Sequence, residues 1–276
     1  LQDLDFLIVQ DIFMTKTAGY ADVVFPASVG WVEADGTVTS SERRVQRVRA
    51  ALVPPKGARA DHEIIGDLAM RLGATWQAQT PEELWDELRS ISPMHAGMSY
   101  PRLEENNGLQ WPCPDLDHPG TPFLHGWLWE EDLLGHDPAP FSLTTHEGPK
   151  ETLSEEFPIR LTTGRVLDSY NTGVQSRAYK SPLRKGADLE ISTVDALELG
   201  LQNGEEVLVS SPRGHVKMLV SIQKDQVKGL AFTTFHFPDL VDLNVLTNDQ
   251  WDPLSGTAEF KAAAIRIEKL TGDDRA

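Results

Sequence analysis

The hydrophobic pattern of residues 1–91 predicts an α/β lobe. Two short apolar runs, at residues 6–9 and 23–26, have the length and composition of strands, and the first is predicted to be buried. Residues 61–72 and 81–91 instead repeat their apolar positions at helical spacing. Strands that alternate with helices in this way are typical of an α/β sheet.

Capping residues mark where both predicted helices begin. Asp61 precedes the first apolar face and is expected to be its N-cap. Thr80 comes before the sequence "PEEL", which combines a proline in the first turn with acidic residues beside the positive end of the helix dipole. Thr80 is therefore the expected N-cap of the second helix.

Beyond residue 91 the periodicity is lost and then returns in a different form. Residues 92–155 are rich in proline, glycine, histidine and tryptophan, which predicts an irregular connection over the surface of both lobes. Residues 156–276 contain five short strand-like stretches, with turn signals such as "SPRG" and one helical stretch at 193–199. This pattern predicts a small β-barrel with a helical insertion.

Composition narrows the classes of function. The 276 residues carry a formal net charge of −17, which argues against a general nucleic-acid surface but not against an anionic small ligand held by local donors. No apolar stretch is long enough for a membrane span, and the single cysteine, Cys113, excludes an internal disulfide framework. A cytoplasmic protein is expected; the alternative is a folded protein exported by another route, which would have the same features. The chain starts at Leu1, close to a core-type strand, which suggests a fragment or a subunit of a longer polypeptide.

Gln10 and Asp11 stand directly after the first apolar run and are candidate ligand contacts. The carboxyl end of a parallel strand faces the crevice in which α/β sheets bind ligands. A carboxylate there can accept two hydrogen bonds, from ribose hydroxyls or from the edge of a base. The alternative interpretation is that Asp11 caps the following helix and Gln10 fills a polar corner.

The stretch "LTTGRVLDSYNTG", at residues 161–173, is a second candidate. Gly164 allows the backbone to approach a ligand closely, and Arg165 can form a charge-assisted pair with a phosphate. The hydroxyl and amide residues that follow can add further hydrogen bonds. The alternative is an ordinary turn after a strand, with an arginine that faces solvent.

Other polar residues have simpler interpretations. The four arginines of residues 37–50 favour a solvated or packing face over a phosphate site. The histidines lack the spacing of a metal site, and only His236, at the end of a barrel strand, has positional interest. Cys113 is interpreted as a quiet loop cysteine. Hydrolase, Walker A and GxGxxG motifs are missing from the sequence.

Four stretches taken together resemble a known family. They are "FLIVQDIFMTKTAGYADVVFPAS", "DGTVTSSERRVQRV", "LTTGRVLDSYNTG" and "DPLSGTAEFKAAAIRIEKL". In this order they are similar to the carboxyl-terminal part of molybdopterin oxidoreductases, specifically formate dehydrogenase catalytic subunits. The similarity covers nearly the whole chain and is weakest across residues 114–155.

The resemblance implies a fold and a cofactor. Residues 1–91 would form the end of a Rossmann-like molybdopterin oxidoreductase domain, and residues 156–276 a double-psi β-barrel that binds molybdopterin dinucleotide. The cofactor would be two molybdopterin guanine dinucleotides around one molybdenum or tungsten, shared with upstream polypeptide.

The resemblance also assigns contacts with the two dinucleotides, residue by residue. Those at the guanosine end of one dinucleotide would be Gln10, Asp11, Ile12, Ala27 or Ser28, and Asp61. Those along the pterin and phosphates of the second would be Thr163, Gly164, Arg165, Ser169, Asn171 and Thr172. Those that close the second pocket would be His236, Asn244, Phe260 and Lys261.

The residues that carry out the chemistry in this family do not match any part of this chain. The metal-ligating cysteine or selenocysteine, its adjacent histidine, the active-site arginine and the iron–sulfur cysteines would all lie upstream. The resemblance therefore implies no catalytic or metal-binding residue here. It implies that the chain alone is inactive, and that its partners are the upstream portion of the subunit and electron-transfer subunits.

Two other functions stay open. The chain could be part of another bis-molybdopterin oxidoreductase such as an assimilatory nitrate reductase, because substrate choice is set mostly upstream. It could also be a non-catalytic binding module, since double-psi barrels serve in protein recognition. The α/β lobe argues against the second alternative, because a binding barrel has no need for Gln10, Asp11 or Asp61.

Overall fold

The protein is described by a computed structural model that covers residues 1–124, 141–169, 171 and 186–270. The chain divides into two compact units, Leu1–Ser142 and Leu143–Ala276. None of the helices within the described ranges is long and apolar enough to cross a membrane.

The described residues of the first unit form two small sheets and three α-helices. Its strands are β1 (Ile8–Asp11), β2 (Val23–Pro26), β3 (Gly36–Thr39), β4 (Arg44–Val48) and β5 (Leu109–Gln110). Its helices are α1 (Asp61–Arg71), α2 (Pro81–Ile91) and α3 (Tyr100–Glu105). Strands β1 and β2 form a parallel pair, while β3, β4 and β5 form an antiparallel sheet.

The elements of the predicted α/β lobe are present, with shifted ends. β2 and α2 have the predicted bounds, and Thr80 caps α2 by accepting a hydrogen bond from the Glu83 N–H. β1 begins two residues later than predicted and includes Asp11. It is not a buried strand, since Ile8 is 38% exposed and β1 pairs with β2 alone among the described residues.

The start of α1 also differs from the prediction. The N-cap is Ala60, whose N–H donates to the Glu63 carboxylate at 3.3 Å. Asp61 is the first residue of the helix and its carboxylate does not cap the helix. The Asp61 side chain is therefore available for another partner.

Part of the segment predicted as an irregular connection belongs to the core of the first unit. α3 and β5 lie within it, and β5 completes the antiparallel sheet by pairing with β4. One buried cluster joins both sides of residue 91: Val45, Trp85, Met98, Tyr100, Leu103, Leu109 and Cys113. These apolar residues are spread over very short elements, so the sequence shows no period that would have predicted them.

Arginines hold this part of the first unit together. Arg43 donates to the backbone oxygens of Trp111 and Thr121, the latter at 3.0 Å. Arg102 donates to the His118 oxygen at 2.7 Å. Because these guanidinium groups satisfy backbone carbonyls, the packing interpretation of the arginine-rich stretch holds for Arg43.

The second unit is built around a closed barrel of six strands, which confirms the predicted barrel. The strands are β6 (Ile159–Gly164), β7 (Leu189–Ser192), β8 (Glu206–Ser211), β9 (Gly214–Gln223), β10 (Leu230–Thr234) and β11 (Ala263–Lys269). Their order around the barrel is β10-β6-β11-β8-β9-β7, with helix α4 (Thr193–Glu198) directly after β7. Two neighbouring pairs, β6 with β10 and β7 with β9, are parallel. Inward-facing aliphatic side chains fill the interior.

The segment before β6 is attached to the barrel. Glu151 forms a two-point ion pair with Arg213 at 2.7 and 3.0 Å and also accepts a hydrogen bond from the Ala264 N–H. The Lys150 N–H donates to Glu259. These contacts place the start of the second unit well before residue 156, the predicted boundary.

Gly97 provides a test of the first unit's packing. A Cβ added there would lie 1.9 Å from the backbone oxygen of Asp115, which cannot move aside as a flexible side chain would. We expect Gly97→Ala to lower the free energy of unfolding by about 1–3 kcal/mol or more, measured by urea denaturation. Gly66→Ala is the matched control, because α1 leaves open space at that position and alanine favours a helix by roughly 0.5–1 kcal/mol. Equal effects of both substitutions would contradict the packing described.

The ion pair of Glu151 should make the free energy of unfolding depend on pH. Burial raises the pKa of this carboxyl, but hydrogen bonds from Arg213 and the Ala264 N–H outweigh burial and hold the pKa below its ordinary value of 4.5. The stabilisation is therefore present above about pH 4.5 and is lost as the pH falls through the lowered folded-state pKa. We expect the difference in free energy of unfolding between the unmodified chain and Glu151→Gln to shrink between pH 7 and pH 4. Glu206→Gln, at an exposed position on β8, is the control, and a difference that does not shrink would contradict this role of the ion pair.

Candidate functional site

Polar residues meet at the carboxyl ends of β1 and β2 in the first unit. The strands are parallel, with Gln10 opposite Phe25 and Asp11 opposite Pro26, so both chains leave the sheet at the same edge. The Ala27 N–H continues the pairing by donating to the Asp11 oxygen at 3.2 Å. We call Gln10, Asp11, Ser28 and Asp61 the strand-end cluster.

Gln10 and Asp61 are in direct contact. The Gln10 side-chain amide donates to one carboxylate oxygen of Asp61, across 51 positions of sequence. Asp61 lies at the N-terminus of α1, where the helix dipole favours a negative charge. Its second oxygen has no partner within the described residues and can accept further hydrogen bonds.

Asp11 binds the local backbone through one carboxylate oxygen, and its other oxygen can still accept a hydrogen bond. One carboxylate oxygen accepts a hydrogen bond from the Phe13 N–H at 2.9 Å, which orders the turn after β1. The second oxygen has no partner in the described part of the chain. Ile12, between these two residues, is 46% exposed. The local role and a ligand-binding role of Asp11 are therefore compatible.

Ser28 carries a buried hydroxyl without a partner. The residue is 3% exposed, and its Oγ makes no hydrogen bond among the described residues. Its backbone N–H donates to the Arg59 oxygen at 2.8 Å, next to the start of α1. An unsatisfied buried hydroxyl costs about 1–3 kcal/mol, so this atom is suited to a partner that the chain does not supply.

Arg59 is the nearest cation in sequence to this edge, but it already has a partner. Its guanidinium donates to Asp67 at 3.1 Å and lowers the pKa of that carboxyl. It also donates to the Glu63 backbone oxygen at 3.2 Å. The strand-end cluster is thus mainly a set of acceptors, which suits a base or a sugar better than a phosphate.

The barrel has a corresponding feature where its parallel strands β6 and β10 end. Thr163 lies opposite Thr233, and Gly164 opposite Thr234. A Cβ at Gly164 would meet the Phe232 ring at 2.9 Å, which explains why this strand end carries glycine. The residues at these two strand ends and in the turn that follows β6 are called the barrel-end cluster. They are Thr163, Gly164, Arg165, Ser169, Asn171, Thr233, Thr234 and His236.

Arg165 uses one guanidinium nitrogen for a hydrogen bond to the described chain, and its other two nitrogens are available to a ligand. Its Nε donates to Asn171 Oδ1 at 2.7 Å, and its guanidinium carbon lies 5.8 Å from the centre of the Phe235 ring. Asn171 has a positive φ of 43°, a conformation that asparagine tolerates better than most residues. The two terminal nitrogens of Arg165 have no partner within the described ranges, so they can bind an anion.

Three buried hydroxyls of this cluster have no hydrogen-bond partner among the residues that the structure describes. They belong to Ser169, Thr233 and Thr234, and the two threonines are 0% and 1% exposed. Thr163 differs, because its hydroxyl donates to the Phe260 backbone oxygen at 3.0 Å. The sequence interpretation missed Thr233 and Thr234, although "FTTFHF" places hydroxyls at a strand end as "LTTGR" does.

The predicted closing residues occupy different places. Phe260 adjoins the cluster through the Thr163 bond, and the Lys261 amine lies 5.8 Å from the centre of the Phe260 ring. His236 is completely buried, and both of its ring nitrogens bond to the backbone. Asn244 lies in a 3-10 turn beside β9, and among described residues its side chain has no hydrogen bond to the cluster. Thr172 lies outside the described residues.

The described residues contain no group of three or more His, Cys, Asp or Glu side chains arranged to hold a metal ion. Both clusters offer hydrogen-bond donors and acceptors at strand ends. These residues can bind and orient a polar ligand.

Comparison with protein families matches both units. Residues 1–71 match the molybdopterin oxidoreductase family, and residues 159–264 match the molydopterin dinucleotide binding domain. The chain belongs to the molybdopterin oxidoreductase family. The sequence prediction of this family is confirmed, and the second match covers nearly the whole barrel.

Curated relatives extend the match to almost the full length of the chain. It is 43% identical over 274 residues to the F420-dependent formate dehydrogenase 2 subunit alpha of Methanococcus maripaludis, covering 98% of this chain. It is 34% identical over 278 residues to the assimilatory nitrate reductase catalytic subunit of Bacillus subtilis, covering 97%. The chain spans 40% and 38% of the lengths of these two relatives.

A solved structure shares the fold. The acetylene hydratase from Pelobacter acetylenicus superposes with a TM-score of 0.64 at 20% sequence identity. The match covers 96% of this chain and 40% of that chain. At this level of identity the likeness concerns the fold alone.

The unpartnered hydroxyls provide a test within the chain itself. Thr234→Val removes a hydroxyl without a partner, so we expect the free energy of unfolding to stay constant or to rise by up to about 1–2 kcal/mol. Thr163→Val is the matched control on the opposite strand. It removes the hydrogen bond to Phe260 and should lower the free energy of unfolding by about 0.5–1.5 kcal/mol. If Thr234→Val destabilised the chain as much as Thr163→Val, the Thr234 hydroxyl would have a structural partner.

Proposed function

We propose that the chain is the cofactor-binding, carboxyl-terminal portion or split subunit of a molybdenum- or tungsten-dependent formate dehydrogenase that oxidises formate to carbon dioxide. The observation that carries the proposal is the set of buried or open polar atoms that have no partner among the described residues at two strand ends. One of these lies in a match to the molybdopterin oxidoreductase family and the other in a match to the molydopterin dinucleotide binding domain. The identity to a formate dehydrogenase subunit, 43% against 34% for the nitrate reductase, favours formate.

The finer fold assignments belong to the same proposal. The parallel β1–β2 pair followed by α1 is consistent with the end of a Rossmann-like sheet. The two parallel pairs in the barrel are consistent with a double-psi arrangement. These features support an α/β lobe and a dinucleotide-binding barrel.

The strand-end cluster would bind the guanosine of one dinucleotide. Asp61 can accept hydrogen bonds from the ring N–H and exocyclic amine of guanine, and the Gln10 amide keeps its carboxylate in place. The open oxygen of Asp11 can accept from the ribose, with Ile12 against the sugar or base. The buried Ser28 hydroxyl supports a ligand at this edge, because it lacks a partner within the described chain.

The barrel-end cluster would bind the pterin and phosphates of the second dinucleotide. The free nitrogens of Arg165 suit a phosphate, and Gly164 leaves the backbone accessible. The unpartnered hydroxyls of Thr233, Thr234 and Ser169 add donors to the proposed set. Thr172, Asn244 and Lys261 stay in the proposed set by family resemblance. When bound, the cofactor would supply the redox-active metal centre that accepts electrons from formate.

The rest of the enzyme would come from other polypeptide. The proposed partners carry the metal-ligating cysteine or selenocysteine, the iron–sulfur clusters and the electron-transfer subunits. β1 supports this, since one of its edges has no strand partner in the described residues and an isolated two-stranded sheet is marginal in water. We propose that a strand of the upstream portion pairs with β1, that the chain alone is inactive, and that the assembled enzyme is cytoplasmic.

Two alternative functions can be distinguished from the proposed one by measurement. An assimilatory nitrate reductase would reduce nitrate rather than oxidise formate when the assembled complex is assayed with a redox dye. A non-catalytic binding barrel would hold its partner unchanged after substitutions in the strand-end cluster. The unpartnered polar atoms in both units favour the cofactor-binding proposal over the binding module.

The central experiment measures nucleotide retention. The chain is reconstituted with its upstream portion, the complex is denatured, and released GMP, pterin and metal are quantified. We expect the double substitution Asp11→Asn and Asp61→Asn to lower retained GMP at least about tenfold, because each asparagine replaces an acceptor oxygen with a donor and removes a charge. Asp5→Asn, at an exposed position before β1, is the matched control.

The same preparation tests the remaining parts of the proposal. A reconstituted complex that releases no GMP, pterin or metal would rule the function out. Full GMP retention by the double variant would show that the strand-end cluster is not part of the cofactor site. Formate oxidation by the chain alone would show that the reactive centre is not supplied by other polypeptide.

A further inference from the structure

His236 has an unusual position for a residue expected to line a ligand pocket. It lies two residues after the end of β10 and is 0% exposed. Its Nε2 is 3.0 Å from the Val166 backbone nitrogen, and its Nδ1 bonds to the Asn171 backbone oxygen. Both ring nitrogens are therefore used by the turn after β6, about 70 positions earlier in the sequence.

The partners determine the tautomer. A backbone N–H can only donate, so Nε2 must carry a lone pair to accept the bond from Val166. A carbonyl oxygen can only accept, so Nδ1 must carry the proton that is donated to Asn171. His236 is thus a neutral imidazole with its proton on Nδ1.

The two bonds control the placement of Arg165. One holds Val166, the neighbour of Arg165, and the other holds the backbone of Asn171, whose side chain accepts from Arg165 Nε at 2.7 Å. His236 therefore fixes both sides of the turn from which the free guanidinium nitrogens project. Without it, the long arginine side chain would sample many rotamers.

We propose that His236 is a positioning residue, which presents Arg165 to the ligand through Val166 and Asn171 and does not contact the ligand through its own ring nitrogens. The turn it holds would be the anion-binding part of the barrel-end cluster, and that functional step rests on the proposed dinucleotide site. The assignment replaces the sequence expectation that His236 lines the pocket.

The tautomer is tested first on the unmodified full chain, so that no variant has to fold. The chain is labelled with ¹³C and ¹⁵N, and the His236 ring signals are assigned by sequential backbone correlations that are extended to the ring. Proton–nitrogen correlation spectra at neutral pH should show Nδ1 as the protonated nitrogen and Nε2 as the unprotonated one. A proton on Nε2 would overturn the proposal.

Two variants are designed so that each keeps one of the two hydrogen bonds of the His236 ring and loses the other. His236→Gln can place its amide oxygen near the Nε2 position and keep the bond from Val166. His236→Asn can place its amide nitrogen near the Nδ1 position and keep the bond to Asn171. His215→Asn, at an exposed position on β9, is the control for the loss of a histidine.

Hydrogen exchange then reports each bond separately. In His236→Gln we expect the Arg165 Nε–H to exchange about fivefold faster while the Val166 amide stays protected. In His236→Asn we expect the Val166 amide to exchange about fivefold faster while the Arg165 Nε–H, whose bond to Asn171 is kept, exchanges at its unmodified rate. Equal acceleration in both variants, or acceleration throughout β11, would mean that His236 serves packing alone and would overturn the proposal.

Cofactor retention tests the functional step. In the reconstituted complex, His236→Gln should lose more dinucleotide than His236→Asn, because only the first variant releases the Asn171–Arg165 arm. Equal retention by both variants and by the unmodified chain would overturn the positioning role. If the unmodified complex itself retained no dinucleotide, the proposed function would fail, while the tautomer and exchange results would still describe how the turn is held.

Discussion

Parallel pairing of neighbouring strands is the constraint on which the rest of this structure depends. When two strands run in the same direction, their carboxyl ends reach one edge, and the chain must turn away there. In the first unit this brings Asp11 beside Ala27 and Ser28, and in the barrel it brings Thr163 and Gly164 beside Thr233 and Thr234. The side chains at such an edge belong to the last paired residues or follow them directly, so they can contact something other than the sheet.

The energetic consequence is a set of polar atoms that the chain leaves unsatisfied. Buried hydroxyls are normally paired. In these two clusters, four have no partner in the described part of the chain, and they represent a cost to the isolated polypeptide: those of Ser28, Ser169, Thr233 and Thr234. A ligand with many donors and acceptors would recover that cost. The net charge of −17 does not oppose an anionic ligand of this kind, because Arg165 supplies a local donor where the barrel needs one.

The sequence predicted those parts of the structure that depend on local patterns. The helix cap at Thr80, the end of β1 near Gln10 and Asp11, and most barrel strands follow from period and capping chemistry. The family resemblance assigned both Gln10 and Asp61 to the guanosine end of one dinucleotide, but their direct contact was not predicted, because 51 residues separate them.

Other features could not be predicted because their partners come from distant positions. The role of His236 depends on a turn about 70 residues earlier, and nothing in "TTFHF" indicates which backbone groups its ring meets. The core position of Cys113 depends on elements too short to show a period. The reasoning that predicts ligand contacts at the end of β6 holds equally for Thr233 and Thr234 at the end of β10, but the sequence prediction included only the motif on β6.

The most direct test of this account is an experimental structure of the assembled catalytic subunit with its cofactor bound. The account predicts guanine or ribose atoms within about 3 Å of Asp61 or Asp11, and phosphate or pterin atoms within the same distance of Arg165 and at least one of the unpartnered barrel hydroxyls. A bound cofactor that touches neither the strand-end cluster nor the barrel-end cluster would contradict it.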